Sequence, residues 1–62
     1  INVNTASLEE LDSLPGIGPK LAQRVIEDRS MFGRYETVDD LERVKGIGSE
    51  TVERLRPFVI AE

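Results

Sequence analysis

Leu14-Pro15-Gly16-Ile17-Gly18 and Val44-Lys45-Gly46-Ile47-Gly48 repeat one another at an offset of 30 residues. At the same offset Ser7 to Ile26 lies over Thr37 to Arg56 without a gap. Leu11, Gly16, Ile17, Gly18 and Arg24 fall on the identical residues Leu41, Gly46, Ile47, Gly48 and Arg54. Most other pairs are conservative: Leu8 with Val38, Glu9 with Asp39, Glu10 with Asp40, Leu14 with Val44, Val25 with Leu55. Self-similarity of this kind marks one supersecondary unit used twice.

Each unit opens on a helix-start signal. Ser7-Leu8-Glu9-Glu10 and Thr37-Val38-Asp39-Asp40 place a hydroxyl three residues before a carboxylate, the pattern of a capping box. The spacing predicts a short first helix over Leu8 to Ser13 and its counterpart over Val38 to Arg43. Helix cannot continue comfortably through either glycine-rich stretch, where glycine permits turn conformations closed to other residues and lets a second backbone approach. A longer second helix follows, with Pro19 suited to its first turn. Leu21, Ala22, Val25 and Ile26 recur at helical spacing on one side, and Thr51, Val52 and Leu55, with Phe58 or Val59, repeat the pattern. Pro57 predicts a kink or an early end to the last helix.

The expected architecture is all-α: a compact domain over 1–62, with motif one at 7–28, a short connector at 29–36 and motif two at 37–58, the two motifs related by a pseudo-two-fold axis. The connector is too short and too apolar for a flexible linker. Phe32 and Tyr35 are expected to plug the seam between the motifs.

Composition excludes several functions. Sixty-two residues lie near the lower limit for independent folding and leave no room for a large enclosed active site. With no Cys and no His, thiol chemistry, imidazole acid-base catalysis and the usual soft metal sites are absent. No catalytic constellation and no metal site is expected. The acidic sets at Glu9, Glu10, Asp12 and at Asp39, Asp40, Glu42 suit helix first turns, where the dipole favours them. No apolar run is long enough to span a membrane, so no membrane contact is expected of these residues themselves. The chain opens at Ile1 rather than at methionine, as a piece of something longer would.

A net charge of −4 argues against a general electrostatic DNA binder. The charges separate by segment, however: residues 15–26 and 43–49 each carry +2, while the segments holding the two first helices, 1–14 and 38–42, each carry −3. Both hairpins are thus locally positive. The first amides of each second helix lack intrahelical acceptors and, with the helix dipole, form an anion site that needs no basic side chain. Gly16, Gly18, Gly46 and Gly48 would let a phosphodiester reach those amides, with Ile17 and Ile47 turned into the core to fix each bend. Lys20 and Arg24, one turn apart, would flank the first phosphate, and Lys45 and Ser49 would serve the second. Two such sites match two strands facing each other across a minor groove.

Leu14-Pro-Gly-Ile-Gly18 and Val44-Lys-Gly-Ile-Gly48 resemble the helix-hairpin-helix signature, and their tandem arrangement resembles the (HhH)2 domain. Asn2-Val3-Asn4-Thr5-Ala6-Ser7 and Phe32-Gly33-Arg34-Tyr35-Glu36-Thr37-Val38-Asp39-Asp40-Leu41 resemble more narrowly the DNA-binding domain of the ComEA family of competence receptors, over essentially the whole chain. That resemblance implies sequence-independent binding of double-stranded DNA on a DNA-uptake route, outside the cytoplasmic membrane, with an anchor or signal sequence in the parent protein; a cytoplasmic parent is the alternative. It also implies phosphate contact by the hairpin amides and a monovalent cation at hairpin carbonyls, with no other cofactor. One departure is Glu50, which stands where the first unit has Lys20. The affinity expected is that of non-specific binding, about 10^-4 to 10^-6 M. Two other readings stand beside it: a protein-interaction or self-association unit, and the DNA-targeting domain of a larger repair enzyme.

Overall fold

Four helices form from these signals in a computed structural model that describes residues 1–62: α1 (Leu8–Asp12), α2 (Pro19–Phe32), a 3-10 helix η1 (Val38–Arg43) and α3 (Ser49–Leu55). The Ser7 hydroxyl accepts the Glu10 amide at 3.2 Å, and the Glu10 carboxylate accepts the Ser7 amide at 2.9 Å, closing the capping box. In the second unit the Asp40 carboxylate accepts the amides of Glu36 and Thr37 at 2.9 and 3.1 Å. η1 is wound more tightly than α1. Val38, Asp39 and Asp40 are weaker helix formers than the Leu8, Glu9 and Glu10 they replace, which favours the short 3-10 form. Strands are absent; a single parallel bridge joins Asn2 to Ile60.

The core is one cluster to which both units contribute. Leu11, Leu14, Ile17, Ala22 and Val25 of the first meet Leu41, Val44, Ile47, Val52 and Leu55 of the second, with Val3, Ala6, Tyr35 and Val59 added from outside the repeat. α1 packs on α2 and η1 on α3. The last helix ends at Leu55, two residues before Pro57, and Val59 rather than Phe58 turns inward.

Two expectations about the connector are corrected. α2 continues through Arg29–Phe32, because no helix breaker intervenes before Gly33, whose φ of +92° reverses the chain. Phe32, at the last position of that helix, is 68% exposed and does not plug the seam; Tyr35 does, at 0%. The reason lies in polar anchors. Asn4 donates to the Tyr35 carbonyl at 2.9 Å and accepts its amide at 2.7 Å, while the Tyr35 hydroxyl donates to the Val25 carbonyl at 3.1 Å. Asp28, one turn before Phe32, is buried and accepts Arg43 Nε at 2.6 Å; the Arg43 guanidinium lies 4.4 Å from the centre of the Tyr35 ring and also donates to the Gly33 carbonyl. The space beside Tyr35 is therefore filled by an ion pair. Burial, with the Asp28 carboxylate adding to it, pushes the Tyr35 phenol well above its ordinary range.

Arg29 fastens the opening segment to α2, donating to the Val3 and Ala6 carbonyls at 2.9 and 2.8 Å. The two ends of the chain meet: the Val3 amide donates to the Ile60 carbonyl at 2.9 Å, and the Ile60 amide to the Ile1 carbonyl at 2.8 Å.

The Asp40 carboxyl is held below the usual carboxylate range chiefly by the Thr37 amide and then by that of Glu36. A depressed folded value means that the contribution is complete above the unfolded value, about 4, and fades as pH falls through the lowered folded one. Asp40→Asn is therefore expected to lower the melting temperature at pH 7 and to converge with the parent chain as pH drops below about 4. Parallel thermal melts across that range check it; a gap that widens on acidification would contradict it.

Candidate nucleic-acid interface

The two hairpins share one backbone. Leu14 and Val44 donate to the carbonyls of Leu11 and Leu41 at 3.1 and 3.0 Å, and Ile17 and Ile47 donate back to the carbonyls of Leu14 and Val44 at 3.1 and 3.0 Å. Gly16 and Gly46 take φ of +79° and +100°, a region open to glycine and costly for other residues. Ile17 and Ile47 are buried and pin the bends from beneath. Gly18 and Gly48 then cap α2 and α3 in the same extended conformation, φ −105°.

These bends leave backbone donors unused. Helical bonding begins with Ala22 donating to Gly18 and Val52 to Gly48, at 2.9 and 3.0 Å. No hydrogen bond in the protein takes the amides of Gly16, Gly18, Lys20 and Leu21, or those of Gly46, Gly48, Ser49, Glu50 and Thr51. The second hairpin has one more donor because Ser49 stands where Pro19 has no N–H. The amides of Leu21, Glu50 and Thr51 join the expected site residues, and their position in the first helical turn is the signal that finds them.

Lys20, Lys45 and Ser49 are exposed beside these amides, and neither lysine is in an ion pair. The Arg24 guanidinium reaches the second hairpin, where its Nη1 donates to the Lys45 carbonyl at 3.2 Å. Arg24 with Asp28 and Glu50 with Arg54 stand four residues apart on their helices, yet neither pair forms. Asp28 is taken by Arg43 rather than Arg24, and Glu50 makes no ion pair with Arg54. Arg56 instead holds Glu53 at 2.8 Å and also pairs with Asp39, both exposed contacts worth little to stability. Glu50 is exposed at the start of α3, close to the second set of amides. The acidic side chains of the first helices do not gather into a metal-holding group.

Two bends with the same hydrogen bonds, each between a short helix and a longer one and each followed by unbonded amides, define a tandem helix-hairpin-helix domain. The chain belongs to the helix-hairpin-helix family, whose model matches residues 1–60. It is 41% identical over 59 residues to ComE operon protein 1 of Bacillus subtilis, covering 95% of this chain and 29% of that protein. Over 56 residues it is 38% identical to human endonuclease/exonuclease/phosphatase family domain-containing protein 1, covering 90% of this chain and 10% of that one. An uncharacterized protein of Haemophilus influenzae is 38% identical over 61 residues, 97% of this chain and 54% of its own length. The chain thus spans about half the length of one of these relatives and far less of the others.

Proposed function

We propose that this domain binds double-stranded DNA without reading its sequence, each hairpin presenting backbone amides to a phosphate of one strand across the minor groove, in the service of DNA uptake. The observation that carries the reading is at Gly18 and Gly48. Their φ of −105° is open to any residue, and a Cβ built on either meets nothing within 4 Å. The fold does not require glycine at these two positions; a ligand approaching the amides beside them would. Membership of the helix-hairpin-helix family and the likeness to ComE operon protein 1 support the same reading. The parent protein would act outside the cytoplasmic membrane. No helix of this chain is long and apolar enough to cross one.

Backbone donors reconcile DNA binding with a net charge of −4. They also make the binding only weakly salt-dependent. With Lys20 and Lys45 as the side-chain contacts, the slope of log affinity against log salt is expected near −2, about −0.9 for each phosphate neutralised. Titration of labelled duplexes of unrelated sequence should give equal affinities on that slope. A marked preference for one sequence, or a slope steeper than about −6, would count against amide recognition.

A monovalent cation belongs to the same proposal. The carbonyls of Pro15, Gly16 and Ile17 accept no hydrogen bond in the protein and offer the neutral oxygen donors such an ion takes. Any catalysis would reside in other parts of a parent chain, as the 10% coverage of the human relative illustrates. A protein-interaction role is favoured by one feature, the exposure of Met31 and Phe32 at 74% and 68%. Sedimentation showing a tight dimer that binds no duplex would select it.

A further inference from the structure

The two hairpins share a backbone but not a setting. A Cβ on Gly46 would lie 2.7 Å from Leu21 Cδ2 and 3.2 Å from Arg24 Nη1, whereas one on Gly16 would meet nothing within 4 Å. The offset of 30 residues explains the difference. Thr51 occupies the position of Leu21 and is too short to reach across, and Arg54, the counterpart of Arg24, makes no bond to the Pro15 carbonyl. Only the second bend is held from behind by the opposite unit's helix.

From this asymmetry we infer that Arg24 is a positioning residue for the second phosphate site rather than a phosphate ligand of the first, an inference that rests on the DNA-binding reading above. The guanidinium donates to the Lys45 carbonyl, the peptide immediately before Gly46. It fixes the plane of the peptide whose N–H is the unbonded Gly46 amide, and so aims that donor before any ligand arrives. Donors held in place in advance bind more tightly because less ordering is left to do. The arrangement compensates for Glu50: the second site lacks the lysine that the first has at Lys20 and carries a carboxylate in its place, so it depends more on well-aimed amides. Leu21 contributes from the apolar side, closing the space behind Gly46.

Charge and hydrogen-bond donation can be separated at this position, because 62 residues are within reach of chemical synthesis and citrulline keeps the Nε–H and one terminal NH2 donor of arginine, enough for the single bond to the Lys45 carbonyl, without its charge. The full chain is compared with versions carrying Arg24→Ala or citrulline at position 24, and with Lys20→Ala as the reference for a phosphate contact. For a positioning residue, citrulline keeps duplex affinity within about twofold and Arg24→Ala loses about tenfold. In both, the salt slope stays at the parent value, while Lys20→Ala makes it shallower by about 0.9. In the absence of DNA, exchange of the Ile47 amide, which closes the bend onto Val44, should accelerate about tenfold in Arg24→Ala and not with citrulline.

If citrulline loses affinity as alanine does and the slope falls by about 0.9, Arg24 touches phosphate and the inference is wrong. It is equally wrong if neither change alters affinity or exchange. A parent chain that binds no duplex would instead overturn the DNA-binding reading itself, which the Ile47 exchange rates do not depend on.

Discussion

Gly46→Ala should unfold a large fraction of the molecules at 25 °C, whereas Gly16→Ala should leave a folded domain with a melting temperature lower by about 5–15 °C. Both substitutions force a side chain into a positive-φ conformation, +100° at Gly46 and +79° at Gly16, a strain of about 1–3 kcal/mol. Only at Gly46 does the new Cβ also collide, at 2.7 Å from Leu21 Cδ2, with a side chain that leans on the core. Overpacking of that kind costs about 1–3 kcal/mol more. A domain of this size rarely has more than about 3–5 kcal/mol to lose, so the second cost decides between folded and unfolded. Thermal melts followed by circular dichroism measure both variants; equal losses would mean that Leu21 moves aside without cost and that the second bend is no better supported than the first.

Exchanging both capping glycines for serine, Gly18→Ser with Gly48→Ser, should reduce duplex affinity by about a hundredfold, tenfold per site, while leaving the domain as stable as before or slightly more so. Serine is a preferred helix N-cap whose hydroxyl accepts an amide two or three positions on. Those amides, of Lys20 and Leu21 and of Glu50 and Thr51, are unbonded in the protein. The hydroxyl would satisfy the helix end and occupy the donors proposed for phosphate, while the added Cβ, which meets nothing within 4 Å inside the protein, would project into the ligand's path. The melting temperature is expected to hold or to rise by about 1–3 °C. Opposite signs for stability and binding are hard to obtain by damage to the fold, which makes the pair of measurements decisive. Unchanged affinity in a folded double variant would remove the amide sites from the mechanism.

The two stretches that resemble the ComEA family, Asn2 to Ser7 and Phe32 to Leu41, also have a physical content. Val3 and Ala6 are core residues, and Asn4 binds both the amide and the carbonyl of Tyr35. The Asn-Val-Asn opening is therefore a structural clamp on the segment between the motifs.

What the residues specified without a structure was whatever is settled within one turn of chain: the capping boxes at Ser7 and at Thr37, the glycine bends, the stop before Pro57 and the buried Ile17 and Ile47. These depend on partners at most a few positions away, so spacing alone reveals them. The repeat made the second unit legible from the first for the same reason. Tertiary packing alone decided that Tyr35 enters the seam and Phe32 does not, that Asp28 takes Arg43 in preference to Arg24, and that Arg24 reaches the Lys45 carbonyl. Each of these joins partners 10 or more residues apart, brought together by where the helices come to lie. A pattern that repeats exposes what the two units share; the difference between Leu21 and Thr51 acquired a consequence only when each was set against the opposite bend.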